Sequence, residues 1–387
     1  MDGSGIKCIL LRGGEIYSPA KRGRGDILII GRMIASVGEG LIPPVGLEVE
    51  EFDVSDRLVI PGFIDLHVHL IGGGGEDGST SRVPEINLST LTSAGITTVV
   101  GVLGTDSITR TPEALLAKVK ALRAEGLSAW MYTGAYHLPS PTITGSVTRD
   151  LALIDEVLGV KIAVADHRSS QPTTHELARL AAEARVGGML GRKPGIVHVH
   201  VGPGQAGLAP IIKVCTRTEI PIGQFLPTHI SRSPALVSQG IEFVKSGGAI
   251  DLTVPSDPDT IVPIVWKLVN AGINMGKVTI SSDGNGSRPL FSRDGDLIGM
   301  TTGTVLTLWE SVKFLVAEKV LPFSDALRLI TTNPADRLGI SKLKGRIEPG
   351  ADADIVILDQ DFSIDKVFAR GRLMVDSGAP VVKGAYE

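Results

Sequence analysis

Apolar and polar positions in the middle of the chain follow two alternating patterns. Short aliphatic runs are separated by longer stretches with apolar residues at helical spacing, such as Pro112 to Ala124 and Pro234 to Lys245. This alternation is typical of βα units in a parallel sheet. The runs that predict strands are Gly62 to His69, Ile96 to Gly101, Ala129 to Ala135, Val157 to Ala165, Ile196 to Val201, Pro221 to Leu226, Ala249 to Val254 and Lys277 to Ser282. About eight repeats over roughly 270 residues predict a (β/α)8 barrel, whose sites form at the C-terminal ends of the strands.

Further helices are predicted over Thr174 to Ala184 and Pro258 to Ala271. Most predicted helices carry Pro in the first turn, and the helix at Thr174 begins with Thr173 or Thr174 as its N-cap. An open, doubly wound sheet is the alternative arrangement of the same units. It is less favoured, because no GxGxxG fingerprint follows a predicted strand.

The two ends of the chain resemble each other and differ from the middle. From Gly5 to Leu58, and again in 352–358 and 366–375, aliphatic runs alternate with turn residues and show no lasting helical period. We therefore expect both ends to form one small composite β-sandwich domain beside the barrel. The predicted limits are 1–60 and 336–387 for the β-sandwich and 61–335 for the barrel.

Composition narrows the class of protein. Of 387 residues, 43% are hydrophobic and 21% are charged, which excludes a disordered or collagen-like chain. The formal net charge is −4 and no basic block occurs, so we expect no nucleic-acid partner. Cys8 and Cys215 lack CxxC spacing, which argues against a disulfide framework or a thiolate zinc site. Since no leader and no run of ~18 apolar residues occurs, we expect a soluble cytoplasmic protein without a membrane partner.

Histidines lie where the predicted strands end. His67 and His69 alternate along one strand, so both side chains point to the same face at its C-terminal end. His200 ends another strand, His229 follows the next, and Asp283 ends the last. These imidazoles and the carboxylate converge on one mouth of the barrel and suit zinc or a similar divalent ion. For a single His, the competing interpretation is a packed core residue.

The other histidines are not predicted as ligands. His198 shares a face with His200 but lies one pleat deeper, so we expect it to pack against the ligands. The remaining three, His137, His167 and His175, lie in predicted loops or at a helix start.

Lys161 interrupts the apolar run from Val157 to Ala165. An unpaired ammonium inside a barrel would cost several kcal/mol, so a partner or a lowered pKa is required. A neutral amine can react with CO2 to give a carbamate, which is a carboxylate that can bridge two cations. Pairing of Lys161 with an acid such as Asp65 is the alternative.

Several stretches together resemble the amidohydrolase superfamily. They are GFIDLHVH after an N-terminal β-unit, Lys161, His200, His229, Asp283, and the C-terminal NPADRLGI and KGRIEPGADADIVIL. The resemblance spans almost the whole chain, and the family carries this ligand order on its first, fourth, fifth, sixth and eighth strands. Other stretches resemble the isoaspartyl (β-aspartyl) dipeptidases: Gly72 to Glu76, Gly104 to Asp106, Tyr136, Asp166 to Arg168, His229 to Arg232 and Ser282 to Ser287.

The resemblance implies a binuclear zinc hydrolase that forms a cytoplasmic homo-oligomer, an octamer in the family, with cobalt or manganese as substitute metals. The implied ligands are His67, His69 and Asp283 for one zinc, His200 and His229 for the other, and Lys161, as N6-carboxylysine, for the bridge. Two such ions can share a hydroxide nucleophile, because zinc lowers the pKa of bound water toward about 7. Asp283 is the expected general base and then acid, and Tyr136 is the expected oxyanion donor or else a packed aromatic.

The expected substrate is a β-aspartyl dipeptide, which carries one ammonium and two carboxylates. Glu76 would pair with the ammonium, while Arg168 and Arg232 would bind the carboxylates, in an assignment that stays open. Additional donors would be Ser287 and the backbone of Gly74 and Thr105. The competing interpretations are a flexible loop or phosphate cradle for the glycine run, although no GK[ST] follows it, and surface salt bridges for the arginines.

Two other functions remain open on the sequence. A cyclic amide hydrolase, similar to dihydroorotase or hydantoinase, would use the same metal site, although a ring substrate offers no free ammonium to Glu76. A catalytically inactive scaffold is disfavoured, because all six predicted metal ligands are present.

Overall fold

The structure is a computed structural model that describes residues 7–291 and 297–387. The chain begins with five strands: β1 (Cys8–Tyr17), β2 (Lys21–Ile30), β3 (Met33–Gly38), β4 (Val49–Asp53) and β5 (Leu58–Pro61). Strand β1 pairs antiparallel with β2 and parallel with β4 and β5. The alternating pattern of Ile9, Leu11 and Ile27 places these side chains in one buried cluster on a face of this sheet.

The barrel follows directly. Its strands are β6 (Phe63–Val68), β7 (Ile96–Gly101), β8 (Ser128–Gly134), β9 (Val157–Val164), β10 (Ile196–Val201), β11 (Phe225–Thr228), β12 (Ile250–Thr253) and β13 (Val278–Ser281). Strands β6 to β11 form a parallel sheet in chain order, and β12 and β13 form a parallel pair. The backbone N–H of His69 donates to the carbonyl of Gly284 at 2.9 Å, which joins the end of β13 to β6. The predicted (β/α)8 barrel is confirmed.

A helix connects each barrel strand to the next. These helices are α1 (Leu88–Ser93), α2 (Pro112–Glu125), α3 (Val147–Leu153), α4 (Thr174–Gly191), α5 (Ala209–Arg217), α6 (Pro234–Lys245) and α7 (Ile261–Asn270). Their starts follow from local chemistry. Thr173 and Glu176 form a capping box at α4, and the Ser233 side chain caps α6, which has Pro234 in its first turn. In the described residues, none of the helices has the length and apolar character needed to cross a membrane.

Two elements differ from the sequence prediction. The strand predicted from Pro221 begins only at Phe225, because Pro221 lacks an N–H for the ladder and a 3-10 turn over Ile222–Gln224 follows it. Helix α4 continues to Gly191 instead of ending at Ala184. Gly187 and Gly188 permit this, because the backbone of neighbouring segments packs where side chains would otherwise stand.

The chain returns to the terminal sheet after the barrel. The last elements are β14 (Ser287–Phe291), β15 (Leu297–Thr302), α8 (Thr307–Ala317), α9 (Phe323–Arg328), α10 (Thr332–Arg337), β16 (Ile355–Leu358), β17 (Ile364–Ala369), β18 (Arg372–Asp376) and β19 (Ala379–Pro380). Strand β16 pairs antiparallel with β5, so strands from both ends share one nine-stranded sheet. The exact domain limits at 60/61 and 335/336 stay a prediction.

A buried ion cluster joins this sheet to the barrel. The ammonium of Lys344 lies 2.7 Å from the carboxylate of Asp352 and 2.5 Å from that of Asp354, and it donates to the Ser128 hydroxyl of β8 at 2.6 Å. Arg32 of the terminal sheet also contacts Asp352, at 3.1 Å. The buried ammonium therefore has two carboxylate partners from the segment before β16 and a hydroxyl partner from the barrel, as a desolvated charge requires.

Candidate metal and substrate site

The predicted site residues meet at the C-terminal ends of the barrel strands, around a cavity of about 360 Å³. His67 and His200 lie on β6 and β10, and His69, His229 and Asp283 follow β6, β11 and β13. The cavity wall includes His69, Gly74, Glu76, Gly104, Tyr136, Arg168, His200, His229, Arg232, Asp283, Ser287 and Arg288. Thr105 adjoins the lining residue Gly104, and its role stays a prediction.

His67, His69 and Asp283 form a compact group whose ligand atoms lie within 4.8 Å of one another. Oδ1 of Asp283 lies 3.4 Å from Nε2 of His67 and 3.3 Å from Nε2 of His69. Ligand atoms bound tetrahedrally to zinc at 2.0–2.1 Å are themselves about 3.3 Å apart. The observed separations therefore fit one shared metal ion.

Lys161 belongs to the same group. Its Nζ lies 3.2 Å from Nε2 of His67, and its side chain is fully buried in β9. Burial lowers the pKa of Lys161 to about 7, so much of the amine is neutral near physiological pH. The proposed pairing with Asp65 is not seen among the described residues, because Asp65 accepts hydrogen bonds from the backbone amides of His67 and Ser282 instead.

His200 and His229 form a second group beside the first. Their ring centroids are 4.5 Å apart, and the ring centroid of His229 is 5.2 Å from that of His67. Nδ1 of His229 contacts the Thr253 hydroxyl at 2.5 Å, which leaves Nε2 for another partner. The left-handed backbone of His229, with φ of 66°, turns the chain directly after β11 and aims this ring into the cavity.

Protonation states also fit metal binding. Burial lowers the pKa of His200 to about 3 and the pKa of His67 and His229 well below the ordinary value, so these imidazoles are neutral. Burial alone would raise the pKa of Asp283, but the hydrogen bond from His69 and nearby positive charge lower it to about 2. Neutral imidazoles and an ionised carboxylate are the states in which these groups bind metals. Nδ1 of His69 is buried without a hydrogen-bond partner among the described residues.

Tyr136 lies two residues after β8 with its hydroxyl in the cavity. Its oxygen is 2.7 Å from Nδ1 of His200, and Lys161 and Arg168 lie on its ring at 5.4 Å from the centroid. Burial raises the pKa of Tyr136, so the phenol keeps its proton and can donate a hydrogen bond.

The charged residues predicted to bind substrate lie on the same wall. Nη1 of Arg168 contacts Oε1 of Glu76 at 3.4 Å, and Nη1 of Arg232 donates to the Val201 carbonyl at 2.7 Å. Nη1 of Arg232 also lies 3.4 Å from Nε2 of His200, and no carboxylate of the described residues forms a salt bridge with Arg232. One anionic and two cationic groups therefore face a cavity lined on another side by the metal-ligand candidates.

The glycine run before Glu76 packs closely against the facing segment. Gly72 and Gly74 have φ of 80° and 85°, and a Cβ at either would lie 1.9 and 2.1 Å from a backbone carbonyl oxygen of the facing segment. The buried Arg110 donates to the carbonyls of Ile71 and Gly73 at 2.7 and 3.1 Å. These contacts favour a defined loop conformation over the alternative of a flexible loop, which stays untested.

Sequence reasoning assigned no role to several residues that shape the site. The carboxylate of Asp166 contacts His200 and Arg168, and the amide of Asn285 donates to the carbonyls of His69 and Pro84 at 3.2 and 2.7 Å. Asp166 could have been noticed, because it follows a buried strand end. The contacts of Arg110 and Asn285 depend on loop backbone that no local pattern indicates.

The histidines that were not predicted as ligands lie apart from the metal-ligand groups or behind them. Nε2 of His198 lies 2.8 Å from Nδ1 of His67, and the ring of His198 stacks on Tyr132. His198 thus orients His67 from beneath the cavity. Nε2 of His137 contacts the Ser107 hydroxyl at 3.1 Å, and the His167 side chain is 84% exposed.

Comparison with known proteins identifies the family. The sequence model of the amidohydrolase family matches residues 259–374. A crystal structure of β-aspartyl dipeptidase from Fervidobacterium islandicum AW-1, in complex with β-Asp-Leu, is 44% identical, with a TM-score of 0.89 over 97% of this chain and 98% of that one. This chain belongs to the β-aspartyl dipeptidase branch of the amidohydrolases. As a member it is a hydrolase, and amidohydrolases are generally metal-dependent.

More distant relatives share the fold. A dihydroorotase from Lactobacillus gasseri is 22% identical over 90% of this chain and 88% of its own. The structure of a D-hydantoinase is 19% identical, with a TM-score of 0.71 and coverage of 97% of both chains. At these identities the likeness concerns the barrel and not the substrate.

Proposed function

We propose that this amidohydrolase is a binuclear zinc dipeptidase that hydrolyses the isopeptide bond of β-aspartyl dipeptides. The observation that carries the proposal is the set of charges beside the metal-ligand candidates: Glu76, Arg168 and Arg232. One carboxylate and two guanidinium groups complement the one ammonium and two carboxylates of such a substrate. The 44% identical relative that binds β-Asp-Leu supports the same substrate class.

Two groups of ligands would hold the metals. His67, His69 and Asp283 would hold one ion, and His200 and His229 the other. Lys161 would bridge them as N6-carboxylysine, because its depressed pKa leaves a neutral amine that can take up CO2. Zinc supplies an activated water at neutral pH, because it lowers the pKa of bound water toward about 7. Cobalt or manganese could occupy the same nitrogen and oxygen ligands.

The chain's own residues would move the proton and hold the developing charge. Asp283 is ionised and faces the cavity, so it can take a proton from the attacking water and return it to the leaving amine. The Tyr136 phenol keeps its proton and can donate to the oxyanion that forms on the scissile carbonyl.

Binding would place the two ends of the substrate on different residues. Glu76 would accept the α-ammonium, and the two arginines would take the carboxylates, so Arg168 must exchange its contact with Glu76 for one with substrate. Ser287 and the backbone at Gly74 and Thr105 would add hydrogen bonds. A cytoplasmic homo-oligomer with separate barrel and β-sandwich domains completes the proposal.

The second candidate is a cyclic amide hydrolase, favoured by dihydroorotases of 22–23% identity that align with 90% or more of the chain. Incubation of the zinc-loaded protein with β-Asp-Leu, dihydroorotate and a hydantoin separates the two. We expect hydrolysis of the dipeptide alone. Turnover of a cyclic amide without turnover of β-Asp-Leu would replace the proposal with the second candidate.

A further inference from the structure

Asp166 connects the two halves of the site. It follows β9 by two residues, and its carboxylate is fully buried. Its Oδ2 lies 2.8 Å from Nε2 of His200 and 2.9 Å from Nη2 of Arg168. Its Oδ1 accepts hydrogen bonds from Nε and the backbone N–H of Arg168, at 3.0 and 2.9 Å. One carboxylate therefore contacts both a metal-ligand candidate and a substrate-binding candidate.

The surrounding backbone is shaped to hold Asp166 in this place. Ala165, just before it, has φ of 52°, a left-handed conformation that is unfavourable for residues with a Cβ. A Cβ at Gly202 would lie 2.3 Å from the Ala165 carbonyl oxygen and 2.5 Å from Cβ of Asp166. The side chain of Gln171 also donates to the Asp166 carbonyl, at 2.7 Å. These close contacts fix the direction of the carboxylate.

We propose that Asp166 is a positioning residue that orients His200 for metal and Arg168 for substrate. On the metal side, its oxygen accepts a hydrogen bond from Nε2–H of His200, which leaves Nδ1 unprotonated; the Nδ1 lone pair now faces the Tyr136 hydroxyl at 2.7 Å and would bind the metal in place of that contact. Carboxylates that hold a metal-binding histidine in this way commonly change metal affinity by 10–100-fold when they are removed.

On the substrate side, Asp166 competes with Glu76 for Arg168. Two side-chain nitrogens of Arg168 donate to Asp166, while Nη1 contacts Glu76 at a longer distance of 3.4 Å. This half rests on the proposed function, in which Glu76 and Arg168 bind opposite charges of the substrate. Without Asp166, the pair would hold each other more tightly, and both groups would be less available to a ligand.

The matched test is Asp166→Asn, which keeps the size of the side chain. Its NH2 group would face the N–H donors of Arg168 or His200, so at least one hydrogen bond would be lost. Zinc affinity is measured by competition with a chromophoric chelator, and KM and kcat are measured on β-Asp-Leu with saturating zinc. We expect the dissociation constant of the zinc that His200 and His229 would hold to rise about 10–100-fold. We expect KM to rise at least tenfold, with kcat reduced much less than KM is raised.

Two further variants separate positioning from stability. Arg168→Gln keeps the contact between Asp166 and His200, so it should raise KM and leave zinc affinity within twofold. Asp352→Asn removes a buried carboxylate from an ion cluster outside the cavity. It should change neither KM nor zinc affinity. Gly202→Ala displaces Asp166 while keeping its charge and should reproduce both defects, which preserves the test if Asp166→Asn does not fold.

Unchanged zinc affinity and unchanged KM in folded Asp166→Asn would overturn the proposal. So would equal losses of zinc affinity in Asp166→Asn and Asp352→Asn, because they would indicate general destabilisation. If the wild-type protein does not hydrolyse β-Asp-Leu, the proposed function fails. The zinc measurement then still decides whether Asp166 orients His200.

Discussion

Replacement of Glu76 by Gln removes a negative charge from the cavity wall while keeping the shape of the side chain. Glu76 follows the closely packed glycine run, and its side chain is 22% exposed, so water screens it only in part. In the proposed complex it accepts a hydrogen bond from the substrate ammonium. Gln at this position would offer a neutral oxygen instead, and it would also weaken the contact with Arg168, which keeps its hydrogen bonds to Asp166.

The size of the effect follows from the kind of bond that is lost. A hydrogen bond to a charged group contributes about 1.5–3 kcal/mol, and partial exposure places Glu76 near the middle of that range. A loss of ~2 kcal/mol in binding the transition state corresponds to a decrease in kcat/KM of about 30-fold. Because the ammonium lies away from the scissile bond, we expect most of this loss in KM.

The assay compares β-Asp-Leu with N-acetyl-β-Asp-Leu, which lacks the ammonium, in the wild-type protein and in Glu76→Gln. The wild type should strongly prefer the free amine, and the variant should lose most of that preference. Glu85→Gln is the control, because Glu85 is a more exposed carboxylate that pairs with Lys118 outside the cavity. If Glu76→Gln keeps both kcat/KM and the preference within twofold of wild type, Glu76 does not bind the ammonium.

Three other perturbations test separate parts of the site and fold. Lys161→Ala should lose most activity and part of its bound zinc, and millimolar acetate should partly restore activity; full activity without acetate would contradict the bridging role. Gly72→Ala should lower the melting temperature and raise KM, because φ is positive there and the new Cβ would lie 1.9 Å from a carbonyl oxygen. Gly23→Ala is the control: it also has a positive φ but lies in open space, so KM should stay unchanged. Burial opposes ionisation of Asp352, but the adjacent ammonium of Lys344 and guanidinium of Arg32 lower its pKa. The stabilisation by the ionised carboxylate is therefore present above the unfolded pKa of about 3.9 and is lost as the pH falls through the folded pKa. Urea unfolding should therefore show a smaller loss of stability between pH 5 and pH 3 in Asp352→Asn than in wild type, and equal losses would refute this assignment.

The barrel could be predicted because its signals are local. Strands such as β7 and β10 are fully buried and rich in Ile and Val, and helices such as α6 begin with a capping serine and a proline. The predicted strand start was wrong where the chain departs from regular geometry. The strand predicted from Pro221 begins at Phe225, because proline has no N–H for the ladder hydrogen bond. The shared terminal sheet was predicted from the alternation of aliphatic runs and turn residues at both ends of the chain. Its strand order could not be predicted, because it depends on long-range pairing.

The metal-ligand candidates could be predicted because parallel strands bring their C-terminal ends together. His67, His200 and Asp283 lie at or just beyond such ends, so their convergence follows from topology. The contacts among loops could not be predicted in the same way. Whether Arg168 meets Glu76, Asp166 or both depends on the left-handed turn at Ala165, which no residue pattern indicates.

Hydrolysis of an isomeric dipeptide pair by protein of known zinc content tests the central claim most directly. Metal analysis should find about two zinc ions per chain, and the protein should cleave β-Asp-Leu but not α-Asp-Leu. In the α-isomer a carboxylate is displaced, which leaves a guanidinium unpaired in the occupied cavity, and such mismatches can reduce kcat/KM by ~10⁴-fold. Equal rates on the two isomers, or well under one zinc per chain in active protein, would contradict the account.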